Sequence, residues 1–197
     1  MNLALFDFDG TISSRDSFLL FMWYAERAGL IRTCFSKIPQ IILYKLNAYP
    51  NQKLKETFLK QVFTGKFLGD LQTVSEKYCR DVVPKILRPG FHKALAWHRE
   101  RGDEIVVVTA TPAFILEPWC RMHGIGIIGT EVQTDWKGRL TGKIIGRNCM
   151  GEEKVSRVKE LYDLEEYDDL FAYGDTASDL PMLGLAPPDN RFYKPFR

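Results

Sequence analysis

Two carboxylates one residue apart, Asp7 and Asp9, are the groups near the N-terminus best suited to chemistry. They follow the apolar run 3–6 and precede Gly10 and Thr11. Neighbouring acids repel each other, and burying an unpaired carboxylate is costly, so the pair favours a site where a proton or a cation offsets the charge. A hard divalent ion is the natural partner. This geometry indicates phosphoryl chemistry, in which one acid attacks and the other moves a proton.

The apolar run before these acids predicts a short buried strand that Gly10 ends with a turn. Asp7 and Asp9 are therefore expected at the C-terminal edge of a sheet, where ligands bind in open α/β folds. The structural alternative is that the acids only cap a helix beginning near Thr11. The motif alone leaves both interpretations open.

Alternating strand and helix patterns after residue 88 predict a doubly wound, Rossmann-like parallel sheet with helices on both faces. The predicted strands are 105–108, 125–128 and 170–173; the helices are 90–99, 113–123 and 154–164; a hairpin spans 131–145. Residues 15–88 show only helical patterns, with a break expected at Pro39. The predicted division is an α/β core of 1–14 and 89–197 and a helical insert of 15–88. The tail 187–197 lacks periodicity and is expected along the surface.

Further chemical groups are predicted at or beside the same sheet edge. Thr109 follows the second strand, Lys154 lies near a helix start, and Asp175 follows the last strand, with Asp179 four residues later. Alone, a lysine is usually a solvated charge and a threonine after a strand is usually a cap. Their convergence indicates a single site.

Four motifs, in this order, resemble the haloacid dehalogenase superfamily of aspartate-nucleophile phosphatases, and within it the phosphoserine-phosphatase-like branch. They are Asp7-Phe8-Asp9-Gly10-Thr11, Val107-Val108-Thr109-Ala110-Thr111, Gly151-Glu152-Glu153-Lys154 and the run 173–183 around Asp175 and Asp179. The resemblance implies a hydrolase with a helical cap inserted after the first strand. It covers nearly the whole predicted core.

The resemblance also implies the catalytic roles. Asp7 would attack phosphorus and form an aspartyl-phosphate, and Asp9 would serve as general acid and then general base. Thr109 would donate its hydroxyl to a phosphate oxygen, and Lys154 would neutralise charge. A second acid at position 9 favours phosphoryl transfer over dehalogenation.

The implied cofactor is Mg²⁺, held by an Asp7 oxygen, the backbone carbonyl of Asp9, and Asp175. Asp179 and Ser178 would support these ligands from behind. Ser178 stands where phosphoserine phosphatases usually carry Asn.

The predicted substrate-binding residues are Asp16, Thr109, Ala110, Thr111 and Lys154. Asp16 lies where phosphoserine phosphatases carry a Glu that receives the substrate's amino group. This shorter acid puts serine phosphate in doubt.

The helical insert differs from the rest of the chain in charge. It holds 13 Lys/Arg and 6 Asp/Glu, a net +7 in a chain of +2. A basic, aromatic-rich lid suits an anionic substrate, although apolar faces and solvated lysines are also what any helical bundle needs. The resemblance to the phosphoserine-phosphatase-like branch implies phosphoserine or another small phosphomonoester as the substrate. The apolar cap adds a second resemblance, to bacterial phosphatidylglycerophosphate phosphatases of the same branch, which implies a lipid phosphate as the alternative. In the second case the cap could lie on a membrane.

Composition narrows the remaining classes. The chain has 197 residues, 45% of them hydrophobic, and its small net charge and lack of basic runs argue against a nucleic-acid partner. No obligate protein partner is indicated. Four scattered cysteines without metal spacing, and no signal-peptide pattern, predict a cytoplasmic protein with free thiols. A phosphotransferase and a non-catalytic binding protein on the same fold are the other hypotheses.

Overall fold

The centre of the molecule is a five-stranded parallel sheet. The computed structural model describes residues 1–46 and 48–197. The strand order is β3-β2-β1-β6-β7, and β4 and β5 form a separate antiparallel hairpin. The strands are β1 Leu3–Phe6, β2 Glu104–Pro112, β3 Gly126–Thr130, β4 Val132–Thr134, β5 Leu140–Ile144, β6 Leu170–Gly174 and β7 Arg191–Tyr193. The predicted parallel α/β fold is confirmed.

Strand β1 is the middle of this sheet, and all four of its residues are buried. Leu3 is in register with Glu104 of β2 on one side and Leu170 of β6 on the other. Because the three strands are parallel and aligned, their carboxyl ends open onto the same edge. The segments after Phe6, Val108 and Gly174 therefore meet there.

Alternating side chains of β1 enter two separate apolar cores. Ala4 and Phe6 belong to a large core on one face, and Leu3 and Leu5 to a smaller core on the other. The helices are α1 Ser17–Ser36, α2 Ile38–Lys45, α3 Asn51–Phe63, α4 Leu68–Asp81, α5 Val83–Ile86, α6 Pro89–Glu100, α7 Ala113–Met122, α8 Glu152–Leu161 and α9 Leu180–Leu183. Helices α6 and α7 contribute to the first core, and α8 and α9 to the second, which gives the predicted helices on both faces.

Helices α1 to α5 lie within residues 15–88, and none of the seven strands falls among the described residues of this segment. The ring of Phe21 lies 5.8 Å from that of Phe63 and 5.7 Å from that of Phe114 on α7, so these helices share their apolar core with the α/β part. The expected helix break at Pro39 is not observed. This proline lies in the first turn of α2, where its missing N–H costs nothing. The two-domain division itself stays a prediction.

The C-terminal tail contributes more than the predicted surface run. Residues 191–193 form the edge strand β7 beside β6. Phe196 lies against Gly90, with its ring 6.2 Å from that of Phe91. This pairing uses backbone hydrogen bonds over only three residues, so no side-chain periodicity announces it.

The four cysteines are free, as predicted. Among the residues that the structure describes, no helix combines the length and the apolar character needed to cross a bilayer.

Candidate active site

The turn after β1 sets the positions of Asp7 and Asp9. The backbone N–H of Asp7 donates to the carbonyl of Tyr173 at 2.9 Å, which continues the β1–β6 ladder by one residue. Gly10 then turns the chain with φ +92°. A Cβ there would lie 2.5 Å from a carboxylate oxygen of Asp175, so glycine is required for both conformation and space.

Lys154 joins two of the acids. Its Nζ donates to Asp7 Oδ1 at 2.6 Å and to Asp179 Oδ1 at 2.8 Å, and all three side chains are buried. Burial alone would lower the pKa of Lys154, but the two carboxylates raise it by more than burial lowers it. The net pKa lies above the usual value, so the lysine is charged. Lys154 lies in the first turn of α8, on the face that meets the sheet.

The two acids beside Lys154 are tuned in opposite directions. Burial raises the pKa of Asp7 to about 7, because it outweighs the attraction of Lys154. Burial acts the same way on Asp179, but Lys154 and hydrogen bonds from Thr176 leave its pKa below the usual value. Asp179 is therefore the firmly ionised member, and Asp7 is the acid that needs further positive charge to be fully ionised at neutral pH.

A cluster of three buried carboxylates forms beside this lysine. Oxygen atoms of Asp7, Asp175 and Asp179 all lie within 4.8 Å of one another. Carboxylate oxygens are the ligands that hard cations prefer, and Lys154 alone does not balance three acids. The donor set therefore fits Mg²⁺. Asp175 also accepts a hydrogen bond from Arg197 at the end of the tail.

Asp9 lies in different surroundings from Asp7. Its Oδ1 accepts from the backbone N–H of Ser17 at 2.7 Å, and its Oδ2 accepts from Thr111 Oγ1 at 2.7 Å. Burial, together with the nearby charge of Asp16, raises the pKa of Asp9 to about 6 against the lowering effect of these hydrogen bonds. The carboxylate is held outside the three-acid cluster by the start of α1 and the end of β2.

The segment after Val108 supplies the other predicted substrate contacts. Thr109 is buried, and its Oγ1 accepts from the backbone N–H of Thr111 at 3.1 Å, which leaves its own proton available to a ligand. The carbonyl of Ala110 accepts from Lys55 and Thr130. The Thr111 hydroxyl donates to Asp9 and therefore helps to position that acid.

Asp16 and Ser178 lie at the rim of the site. Asp16 Oδ1 caps α1 by accepting from the backbone N–H of Leu19 at 2.8 Å. Ser178 Oγ lies 2.7 Å from Thr176 Oγ1. The same Thr176 hydroxyl donates a hydrogen bond to Asp179. Both residues line the cavity described next.

A cavity of about 190 Å³ lies above these groups. It is lined by every predicted substrate and proton-transfer residue, together with five that were not predicted as site residues: Phe18, Asn51, Lys55, Met150 and Thr176. Asp175 is the predicted site residue that does not line the cavity; it contacts it only through the carboxylate cluster that it shares with Asp7 and Asp179.

The sequence interpretation missed a second polar network. Lys55 of α3 donates to Asn148 Oδ1 at 2.7 Å as well as to Ala110, and Thr130 donates to the same Asn148 oxygen at 2.8 Å. Burial lowers the pKa of Lys55 to about 8, against the opposing effects of Asp16 and Asp9. Thr130 had a usable signal, since it lies two residues after the predicted strand 125–128. A lysine inside an amphipathic helix gives none.

Comparison with known proteins agrees with this geometry. A family model described as haloacid dehalogenase-like hydrolase matches residues 4–184. Protein CicA of Caulobacter vibrioides is 33% identical over 200 residues, covering 99% of this chain and 86% of its own. A histidinol-phosphatase of Neisseria meningitidis serogroup C is 29% identical over 194 residues, covering 93% of this chain and 86% of its own.

The fold is also similar to a solved structure titled as a phospho-aspartyl intermediate analogue of phosphoserine phosphatase. The TM-score is 0.64 at 16% identity, over 93% of this chain and 82% of the other. At this identity the likeness concerns the fold alone.

Proposed function

The chain belongs to the haloacid dehalogenase-like hydrolase family, and we propose that it is a Mg²⁺-dependent phosphomonoester phosphatase that works through an aspartyl-phosphate on Asp7. The observation that carries the proposal is the separation of two neighbouring acids into different environments. Asp7 lies among carboxylates beside Lys154, whereas Asp9 is held apart by Ser17 and Thr111. One acid is suited to attack and the other to proton transfer.

The proposed reaction has two displacements. An Asp7 oxygen attacks phosphorus while the bond from phosphorus to the alcohol oxygen breaks, and Asp9 gives its proton to that oxygen. Asp9 then takes a proton from water, whose oxygen attacks phosphorus and releases phosphate and free Asp7. The raised pKa of Asp9, about 6, leaves part of it protonated near neutral pH, as the first step requires.

Charge control in the pocket is assigned to three groups. Lys154 stays charged beside Asp7, the Thr109 hydroxyl donates to a phosphate oxygen, and backbone N–H groups of the following loop add donors. Asp7, Asp175 and the backbone carbonyl of Asp9 would hold Mg²⁺, with Asp179 and Ser178 supporting them. The ion would offset the negative charge of the acids and the phosphate.

The proposed substrate is a small phosphomonoester such as phosphoserine. Asp16 lines the catalytic cavity and offers a carboxylate to a cationic group of the substrate. The histidinol-phosphatase relative supports a small phosphomonoester carrying an amino group, without choosing among such compounds.

A lipid phosphate is the second candidate, and the surface of α2 favours it. None of the residues of α2 is buried, and Ile38 and Ile42 are 48% and 51% exposed. Lys37 and Lys45 flank these side chains. An exposed apolar helix with basic neighbours suits contact with an anionic membrane surface.

Two remote alternatives keep the same fold. In a phosphotransferase, an added alcohol would take the phosphoryl group from Asp7 in place of water, and analysis of the products with an acceptor present separates the two. A non-catalytic binding protein would hydrolyse nothing. Free cysteines support a cytoplasmic setting, and neither a nucleic-acid partner nor an obligate protein partner is proposed.

The test is a phosphomonoester panel, assayed with and without Mg²⁺ on the purified protein and on Asp7→Asn. The panel includes phosphoserine, histidinol phosphate and phosphatidylglycerophosphate. Hydrolysis should require Mg²⁺ and fall about a thousandfold or more in Asp7→Asn. The exposed Asp189→Asn is the matched control. Full activity of Asp7→Asn would remove Asp7 from its role, and a folded protein inactive on the whole panel would favour the binding protein.

A further inference from the structure

A second cavity, of about 350 Å³, opens beside the catalytic one between α1, α2 and α3. Four residues line both cavities: Asp16, Phe18, Asn51 and Lys55. We call this second cavity the cap groove. The cap groove therefore adjoins the catalytic cavity.

The walls of the cap groove are apolar. Leu19 lies on α1, Ile41 and Tyr44 on α2, and Leu54 and Phe58 on α3. Phe58 is 6% exposed and Phe18 is 7% exposed, so the floor is fixed by the main core. Binding of a hydrocarbon or aromatic group against these walls would be favourable, because it removes apolar surface from water.

Two of the three charged side chains that line the groove, Asp16 and Lys55, lie where it joins the catalytic cavity. Lys55 turns its Nζ to the carbonyl of Ala110 and to Asn148, and Asp16 caps α1. The third, Lys45, lies at the end of α2, and the lining between is mostly apolar. The two cavities together match a molecule with a charged end and an apolar end.

We infer that the cap groove binds an apolar group, an alkyl segment or a ring, carried by the alcohol that leaves the phosphate. The inference rests on the proposed phosphatase function and narrows its substrate class. Phosphoserine is short, and with its amino group at Asp16 in the catalytic cavity it would leave the apolar part of the cap groove unfilled. A phosphomonoester with an apolar arm would fill it.

The first experiment measures kcat/KM for a series of n-alkyl phosphates from ethyl to octyl, with phenyl and naphthyl phosphates as a second arm. Each methylene that enters the groove should raise kcat/KM about fourfold until the groove is full. A steeper gain in the alkyl arm would indicate a chain-like substrate, and a steeper gain in the aryl arm a ring-bearing one. No dependence on chain length or ring size would overturn the inference.

Neighbouring positions on α2 supply a matched pair of variants. Ile41 lines the groove and Ile42 does not, although both lie on the same turn. Ile41→Glu should bring the ratio of kcat/KM for octyl phosphate to kcat/KM for ethyl phosphate close to one, and Ile42→Glu should leave this ratio unchanged. Ile41→Trp, which fills the groove without adding charge, should lower the same ratio. Equal behaviour of the two positions would contradict the assignment.

Binding to Asp7→Asn, measured by calorimetry, separates this inference from the phosphatase proposal. If octyl phosphate binds this variant more tightly than ethyl phosphate does, the groove stands whatever the turnover. The unmodified protein could hydrolyse ethyl phosphate while the length of the alkyl chain has no effect on binding or turnover. In that case only the assignment of the groove is wrong. Neither hydrolysis nor length-dependent binding would overturn both.

Discussion

Lys154 Nζ lies 2.6 Å from Asp7 Oδ1 and also contacts Asp179, so it is the cation for two of the three buried acids. The first prediction follows from this pair. Lys154→Met should leave Asp7 and Asp179 without their cation and lower the free energy of unfolding by about 3–5 kcal/mol in the absence of divalent ions. Urea unfolding measures this loss.

Added Mg²⁺ should restore part of that stability, since it supplies charge to the same carboxylates. Lys159→Met, an exposed change on the same helix, is the control and should stay near the starting stability. A Lys154→Met protein as stable as this control would show that the acids are compensated elsewhere.

The second prediction concerns Asp9 and the leaving group. If Asp9 protonates the departing oxygen, Asp9→Asn should lower kcat/KM for an alkyl phosphate by about 10²–10⁴. The loss should be much smaller for 4-nitrophenyl phosphate, whose leaving group needs little protonation. Steady-state kinetics on the two substrates give the comparison, and equal losses would assign Asp9 a purely structural task.

The third prediction uses the buried pair His98 and Asp103. His98 Nδ1 lies 2.7 Å from Asp103 Oδ2, and Nε2 lies 3.0 Å from the hydroxyl of Tyr173. Burial lowers the pKa of His98 despite the attraction of Asp103, so the ring is neutral at pH 7 and this contact is a hydrogen bond rather than an ion pair. Replacing His98 by Gln should destabilise the protein at pH 7.5.

The sign of its pH dependence is fixed by linkage. Unfolding releases a histidine that binds a proton near pH 6.5, so the His98 contribution shrinks as pH falls through that value. The difference in unfolding free energy between the unmodified protein and His98→Gln should therefore narrow from pH 7.5 to 5.5. Taking this difference cancels the opposite contribution of Asp7 and Asp9, whose pKa values are raised. An exposed His92→Gln control should show no such trend, and a widening gap for His98→Gln would mean that the ring is charged in the fold.

The fourth prediction concerns Arg197, which contacts the buried carboxylate of Asp175. A divalent ion at Asp175 must share that acid with the guanidinium. Arg197→Ala should therefore lower, by a few-fold, the Mg²⁺ concentration that gives half of the maximal rise in Tm. Arg191→Ala, in the same tail but hydrogen-bonded to Ala186, is the control. Weaker binding in Arg197→Ala would mean that this arginine orients Asp175 for the ion.

Much of the core follows from local patterns. The continuous apolar run of β1 and the β-branched run of β2 predict buried parallel strands, and the polar residues after them predict the sheet edge that carries Asp7, Asp9 and Thr109. These patterns succeed because both strands are covered on two faces. Hydrophobicity then marks them without any knowledge of their partners.

The parts that escaped prediction depend on contacts between distant segments. Lys55 contacts Ala110, which is 55 residues away in the sequence. Arg197 reaches Asp175 because the three-residue strand β7 places the tail beside β6. Neither contact leaves a periodic signal in its own segment. The cap groove is similar, because its walls come from three helices whose packing decides which apolar side chains face inward.

The central claim, that Asp7 becomes phosphorylated, is tested most directly by trapping the intermediate. Asp9→Asn is mixed with 4-nitrophenyl phosphate and Mg²⁺, because this substrate needs little acid assistance while the second displacement lacks its base. The reaction is quenched in acid, and the tryptic peptide 1–15 is examined by mass spectrometry. The account predicts one phosphoryl group on Asp7 that hydroxylamine removes. This group should be absent from the double variant that carries both Asp7→Asn and Asp9→Asn. A phosphoryl group on Ser13 or Ser14, or turnover without any phosphorylated peptide, would contradict it.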